Sequence, residues 1–264
     1  MRSSEILVFN ASVGADKVQS IIDQNNGSCP FCNYKEEDKI LARKGEILLV
    51  KNKYPILQDT FPTVLIECND CQADISTYPK AHLYSLFRFA IGHWLEMDRS
   101  GLYKSVIFFK NHGPNSGGTM RHPHMQIIGL KNLDYLDFGT TIENFTGLLI
   151  DKQPQVELNL STSPRMGFYE FNVVLDDLAQ IDRLSDYIQD TVHFLLNYYH
   201  RCDSYNIFFY KIADRIYAKI IPRFVTSPMF VGYSIPQITT RLEDVARSIK
   251  ERYYSQRYNI AQER

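Results

Sequence analysis

The strongest periodicity in the chain is helical. Leu83, Leu86, Phe87, Ala90, Ile91, Trp94 and Leu95 recur at three- and four-residue steps, so a helix opening after Pro79 carries them on one stripe. Ser100 and Gly101 end it. Leu184, Tyr187, Ile188, Thr191, Val192, Leu195 and Tyr199 predict a second helix of the same kind. Short apolar runs predict buried strands at 46–50, 63–67, 106–109 and 125–130 around the first helix. Others at 156–160, 167–175, 206–211 and 216–221 surround the second. Each half therefore reads strand, strand, helix, strand, strand, as expected of a duplicated unit. Thr240 and Glu243 have capping-box spacing for a C-terminal helix with Leu242, Val245, Ala246 and Ile249 inward. The expected fold class is α+β: two duplicated halves, residues 1–135 and 136–264, forming antiparallel sheets with helices packed on them.

Composition narrows the function classes. The chain has 264 residues, 44% hydrophobic and 22% charged, with a formal charge of −1. That near-neutral balance argues against a nucleic-acid groove or an anionic membrane as partner, so a nucleotide would be bound by loops and single side chains. No stretch reaches the length of a membrane span, and residues 1–14 lack the apolar run of a signal peptide. Four of the five cysteines form two Cys-x-x-Cys pairs, Cys29/Cys32 and Cys68/Cys71, with Cys202 alone. Without an export signal, such pairs point to metal rather than disulfides, and the expected location is cytoplasmic. Asn25, Asn26, Gly27 and Ser28 form a turn signal ahead of the first pair.

Chemistry concentrates after the fourth strand. Asn111 and His112 lead into Gly113, Pro114, Asn115, Ser116, Gly117, Gly118 and Thr119, followed by Met120, Arg121, His122, Pro123, His124, Met125 and Gln126. In an extended segment His122, His124 and Gln126 project to one side. Gly117, Gly118 and Thr119 supply permissive backbone, free N–H groups and a hydroxyl, the means of cradling an anion. An imidazole beside such a loop can attack phosphorus and form a covalent intermediate, which makes His124 the candidate nucleophile. Gln126 is the candidate for holding a phosphoryl oxygen. His112 is read as a loop residue. His82, His93, His193 and His200 are read as boundary residues of the two helices. Two ligand sets suit a tetrahedral Zn2+ equally: the four paired cysteines, or Cys29 and Cys32 with His122 and one cysteine of the second pair.

This segment resembles the active-site region of galactose-1-phosphate uridylyltransferases, a branch of the histidine-triad superfamily that includes ADP-sugar and dinucleoside-polyphosphate phosphorylases. Asn111, Thr119, His122, Pro123, His124 and Gln126 match the family pattern, with threonine where the family has serine. Asn52, Lys53, Tyr54 and Pro55 are similar to its nucleoside-contacting segment, and Val231, Gly232 and Tyr233 to a segment near the sugar. The resemblance implies a HIT-like fold, a nucleotidyltransferase working through a nucleotidyl-histidine on His124, and nucleotide contacts from Asn52, Tyr54, Asn111, Gly117, Gly118 and Thr119. It implies a zinc ion held by Cys29, Cys32, Cys71 and His122, with Cys68 as the spare thiol. The expected partner is a nucleotide or nucleotide-sugar substrate, with neither nucleic acid nor membrane, and a homodimer is an open expectation. Phosphorolysis or hydrolysis through the same intermediate, or nucleotide binding with little turnover, are the alternatives. Pro228 and Ser234 stand where the family places a lysine and a glutamate, although Gln237 matches a sugar-contacting glutamine.

Overall fold

A computed structural model describes residues 6–15, 29–32, 34–199 and 202–256. The turn signal at 25–28 and His200 lie outside these residues. The chain separates into two compact units. The first comprises Met1–Asp74, Arg88–Lys110 and Met120–Phe138; the second comprises Ile75–Phe87, Asn111–Thr119 and Gly139–Arg264.

The first unit is built on five strands, β1 (Ile40–Lys44), β2 (Ile47–Lys51), β3 (Thr60–Ile66), β4 (Ser105–His112) and β5 (His124–Leu130), in the order β1-β2-β3-β5-β4. All pair antiparallel. Between β3 and β4 runs helix α1 (Lys80–Arg99). Its predicted stripe is buried from Leu83 to Leu95, and the Trp94 indole N–H donates to the Val106 carbonyl at 2.9 Å. That bond satisfies the ring's one polar atom inside the core. Ile66 stands opposite His124, and Phe109 opposite Gln126. The register thus sets both polar side chains on the face opposite Met125 and Ile127, which are fully buried.

The second unit repeats the winding. Strands β6 (Gly147–Gln153), β7 (Val156–Ser161), β9 (Phe171–Leu175), β10 (Tyr205–Ile212) and β11 (Arg215–Pro222) lie in the order β10-β11-β9-β7-β6, all antiparallel. Helix α2 (Ile181–Tyr198) buries Leu184, Tyr187, Ile188, Val192 and Leu195. Short helix α3 (Pro228–Tyr233) and helix α4 (Leu242–Tyr253) follow. Among the described residues no helix is long and apolar enough to cross a membrane.

The sequence reading differs from the fold in three places. Each half has three strands of its main sheet before its helix, because the edge strands β1 and β6 lack the apolar run that marks the others. Both are edge strands whose residues are largely exposed or half-buried, so neither needs a continuous apolar run. The single strand expected at 167–175 breaks in two. β8 (Gly167–Phe168) pairs parallel with β12 (Gln237–Ile238), and β9 begins only at Phe171. Between them the fully buried Glu170 accepts the N–H groups of Arg165 and Met166 at 2.9 and 2.8 Å and pairs with Lys219 at 2.8 Å. A buried carboxylate must find such partners, and the chain bends to provide them. The capping box at Thr240 does not form: Arg241 is the N-cap, with no side-chain cap, although Leu242, Val245, Ala246 and Ile249 are buried.

Candidate active site and metal centre

Cys29, Cys32, Cys71 and His122 bring three sulfurs and one ring nitrogen within 4.8 Å of one another. His122 Nδ1 lies 3.4, 3.7 and 3.2 Å from the sulfurs of Cys29, Cys32 and Cys71. Donor atoms around a tetrahedral zinc are separated by roughly 3.5–3.8 Å, so the set needs little adjustment to take the ion. The Cys32 and Cys71 sulfurs, 2.9 Å apart, would open slightly. Nε2 of His122 donates to the Cys68 carbonyl at 2.8 Å, which selects the tautomer with its lone pair on Nδ1, toward the sulfurs. Burial holds the His122 imidazole below its usual pKa, favouring the neutral form that a metal requires. The Cys71 thiol is pushed up to about 12 by burial and by the neighbouring sulfurs. Only a cation among these sulfurs reverses that penalty, so the donor set fits a soft divalent metal. Cys68 contributes its carbonyl to this arrangement, and its thiol lies 3.5 Å from the Asp70 carbonyl.

His124 begins β5, two residues beyond this cluster. Its Nδ1 lies 2.7 Å from the His122 carbonyl. A carbonyl only accepts, so Nδ1 carries the proton and Nε2 the nucleophilic lone pair. The Phe31 ring meets both imidazoles edge-on, with centroids 5.7 Å from His122 and 5.8 Å from His124. Phe31 was hidden in the sequence as a spacer of the first cysteine pair. The half-buried amide of Gln126 has no hydrogen-bond partner among the described residues. Behind this strand the buried Lys110 ammonium and Glu67 carboxylate pair at 2.5 Å. No local pattern marked that pair.

Asn52 caps a turn through its Oδ1, which accepts the Tyr54 N–H at 2.9 Å, while its own N–H donates to the Pro62 carbonyl. Pro62 stands opposite Ile128, so Asn52 lies at a level of the sheet four residues along β5 from His124, about 13 Å away along the strand direction. His112 ends β4 rather than sitting in the loop, and its ring stacks on Tyr205 at 4.7 Å.

The glycine loop is more structured than expected. Pro114–Ser116 forms one 3-10 turn, closed by Gly117 in the left-handed region at φ 81°. Several of its N–H groups are spent internally: Ser116 N–H on the Gly113 carbonyl, Gly118 N–H on Ser116 Oγ, and Asn115 N–H on Ser204 Oγ. The Thr119 N–H and the Nδ2 of Asn111 have no acceptor among the described residues. These remain as the donors for an anion. Ser204, Asn206 and Arg223, which secure the loop from the second half of the chain, carried no signal in the sequence. Around the Val-Gly-Tyr segment, Val231 and Tyr233 are 72% and 73% exposed on α3.

Residues 9–133 match the N-terminal domain and residues 139–254 the C-terminal domain of the family described as "Domain of unknown function (DUF4931)". No curated protein matched the chain. A DUF4931 protein of Bacillus cereus, known from a crystal structure, is 47% identical over 82% of this chain and all of its own, with a TM-score of 0.75. An ADP-glucose phosphorylase from Arabidopsis thaliana, solved with ADP-glucose, is 16% identical over 86% of this chain and 90% of its own, at 0.72. A uridylyltransferase is likewise 16% identical over 86% and 92%, at 0.70. The fold is therefore the HIT-like fold that the uridylyltransferase and the ADP-glucose phosphorylase share. Matched in both domains and nearly half identical to its Bacillus cereus relative, the chain belongs to the DUF4931 family.

Proposed function

We propose that this protein is a zinc-containing nucleotidyltransferase that works by double displacement on a nucleoside diphosphate sugar or a related nucleotide. The observation that carries the reading is the hydrogen bond from His124 Nδ1 to the His122 carbonyl, which leaves Nε2 as the attacking nitrogen. His124 Nε2 attacks the α-phosphorus; the N–P bond forms as the bridging P–O bond breaks and the distal phosphate departs. Gln126 and the donors at Asn111 and Thr119 that precede it in the chain hold the phosphoryl oxygens, while Gly117 and Gly118 let the backbone approach them closely. A phosphate oxygen of the acceptor then attacks the same phosphorus, breaking the N–P bond and restoring the imidazole. Bound zinc would supply a rigid anchor for His122, through Cys29, Cys32 and Cys71, and so orient the imidazole two residues on. Asn52 and Tyr54 are assigned to the nucleoside. In this reading residues 1–135 carry the catalytic groups and residues 136–264 are a degenerate copy.

A second acceptor chemistry shares the intermediate. Pro228 and Ser234 offer no charge where the resemblance expects a lysine and a glutamate, and their surroundings are exposed, which favours inorganic phosphate over a sugar phosphate as acceptor. The relative solved with ADP-glucose is a phosphorylase by name. The test is mass spectrometry of the protein incubated with UDP-sugars, ADP-sugars and dinucleoside polyphosphates. A nucleotidyl adduct is expected on His124 and absent from a folded His124→Ala variant. Equal labelling of that variant sinks the proposal. Release of the adduct by phosphate rather than by hexose phosphates decides the acceptor.

A further inference from the structure

Asn206, on β10, and Arg223, just after β11, have no part in the reaction as written, yet they hold its loop. Arg223 Nη1 donates to Asn206 Oδ1 at 2.7 Å. A guanidinium has no acceptor, so the Asn206 oxygen must face it and the Asn206 nitrogen must face the loop. That nitrogen donates to Asn111 Oδ1 at 2.7 Å and to the Ser116 carbonyl at 3.0 Å. With its oxygen taken, the Asn111 amide presents Nδ2 as a donor on its other side. Gly118 passes there so closely that a Cβ on it would stand 3.0 Å from Asn111 Cβ and 3.9 Å from Nδ2. The amide orientations follow from the donor chemistry alone.

Among the described residues Arg223 is also a cation with only neutral partners. Besides Asn206 it donates to Thr226 Oγ1 at 3.2 Å, and its buried Nε has no acceptor among the described residues. Burial lowers its pKa, with no carboxylate to offset the effect. A partly desolvated charge beside donors that lack acceptors is stabilised by an anion in the loop.

We infer that Arg223 and Asn206 form a relay that orients the Asn111 amide and the Gly113–Gly118 loop toward a nucleotide phosphate, and so sets the affinity for that phosphate. The nature of the anion rests on the function proposed above. Each link polarises the next, so the positive charge of Arg223 strengthens the donor that Asn111 offers. Arg223 is a positioning residue, acting through two amides.

The test compares calorimetric binding of ADP and UDP with that of adenosine and uridine, using the full chain. Arg223→Gln removes the charge. Asn206→Asp keeps the shape and the contact with Arg223 but replaces the donor facing Asn111 with an acceptor. Charge-assisted hydrogen bonds contribute about 1.5–3 kcal/mol, so each variant is expected to bind the diphosphates roughly 10- to 100-fold more weakly. Nucleoside binding stays at the wild-type level. Diphosphate binding unchanged in both variants overturns the inference. So does an equal loss for diphosphate and nucleoside, the mark of a merely structural role, or a wild type that binds nucleotide and nucleoside alike. Thermal unfolding checks each variant, and Asn206→Asp decides if Arg223→Gln does not fold. Labelling of His124 is followed on the same proteins. A wild type that takes no label while its variants lose diphosphate affinity removes the covalent reading and leaves the relay standing.

Discussion

At the scale of single residues, what distinguishes His122 from His124 is which ring nitrogen each spends on a carbonyl. His122 gives Nε2 to Cys68 and turns Nδ1 toward the sulfurs; His124 gives Nδ1 to the His122 carbonyl, which under the proposed function makes Nε2 the attacking nitrogen. The strand alternation in the sequence placed the two side by side without assigning these opposite tautomers, because tautomers depend on carbonyls that the fold brings in. Gly113 is governed in the same way by what the fold presses against it. At φ 82°, a Cβ on Gly113 would lie 2.2 Å from the Asp203 carbonyl oxygen and 2.5 Å from Ser204 Oγ. Gly113→Ala therefore forces the loop off Ser204. The variant is expected to lose about 1–3 kcal/mol of stability in urea unfolding, together with most nucleotide binding. A variant with wild-type stability and binding would show that the loop does not depend on this approach.

At the scale of elements, the hairpin registers carry His124 and Gln126 to one face, and the helices hold the sheets behind them. Within the second unit, the first turns of α1 are tied to α2 by Tyr84 Oη, which donates to Asp186 at 3.0 Å beside the Lys80–Asp186 pair. Burial, followed by the Asp186 carboxylate, pushes the Tyr84 hydroxyl up to about 12. A raised acid pKa in the folded state means the contribution is whole below about pH 10 and fades as pH rises from 10 through 12. Thermal unfolding followed by circular dichroism is expected to show this alkaline loss in the wild type and a shallower one in Tyr84→Phe. Parallel curves would remove Tyr84 from the linkage. Helices α1 and α2 were legible because long amphipathic stripes repeat many times. The edge strands β1 and β6 were not, since one exposed face and a free edge relax the demand for apolar residues. The break before β9 was hidden because the charge that Glu170 pairs with is on Lys219, far along the chain.

At the scale of the whole chain, Cys29, Cys32, Cys71 and His122 become a single donor set only after folding. Purified protein is expected to carry one zinc ion per chain by elemental analysis. Cys71→Ser should lose it and Cys68→Ser retain it, and chelation should lower the melting temperature because binding energy is folding energy. Zinc kept by Cys71→Ser and lost by Cys68→Ser would reverse the ligand assignment. The sequence by itself determined the two half-repeats, the pairing of cysteines and the alternation of His122, His124 and Gln126. These are local regularities, written at the spacing of helices, strands and turns. Only the tertiary structure decided that the Cys71 sulfur meets His122 while Cys68 offers its carbonyl, and that Ser204, Asn206 and Arg223 hold the glycine loop. Such contacts, most of them between segments 51 to 90 residues apart, leave no period in the chain; they arise from strand order and register.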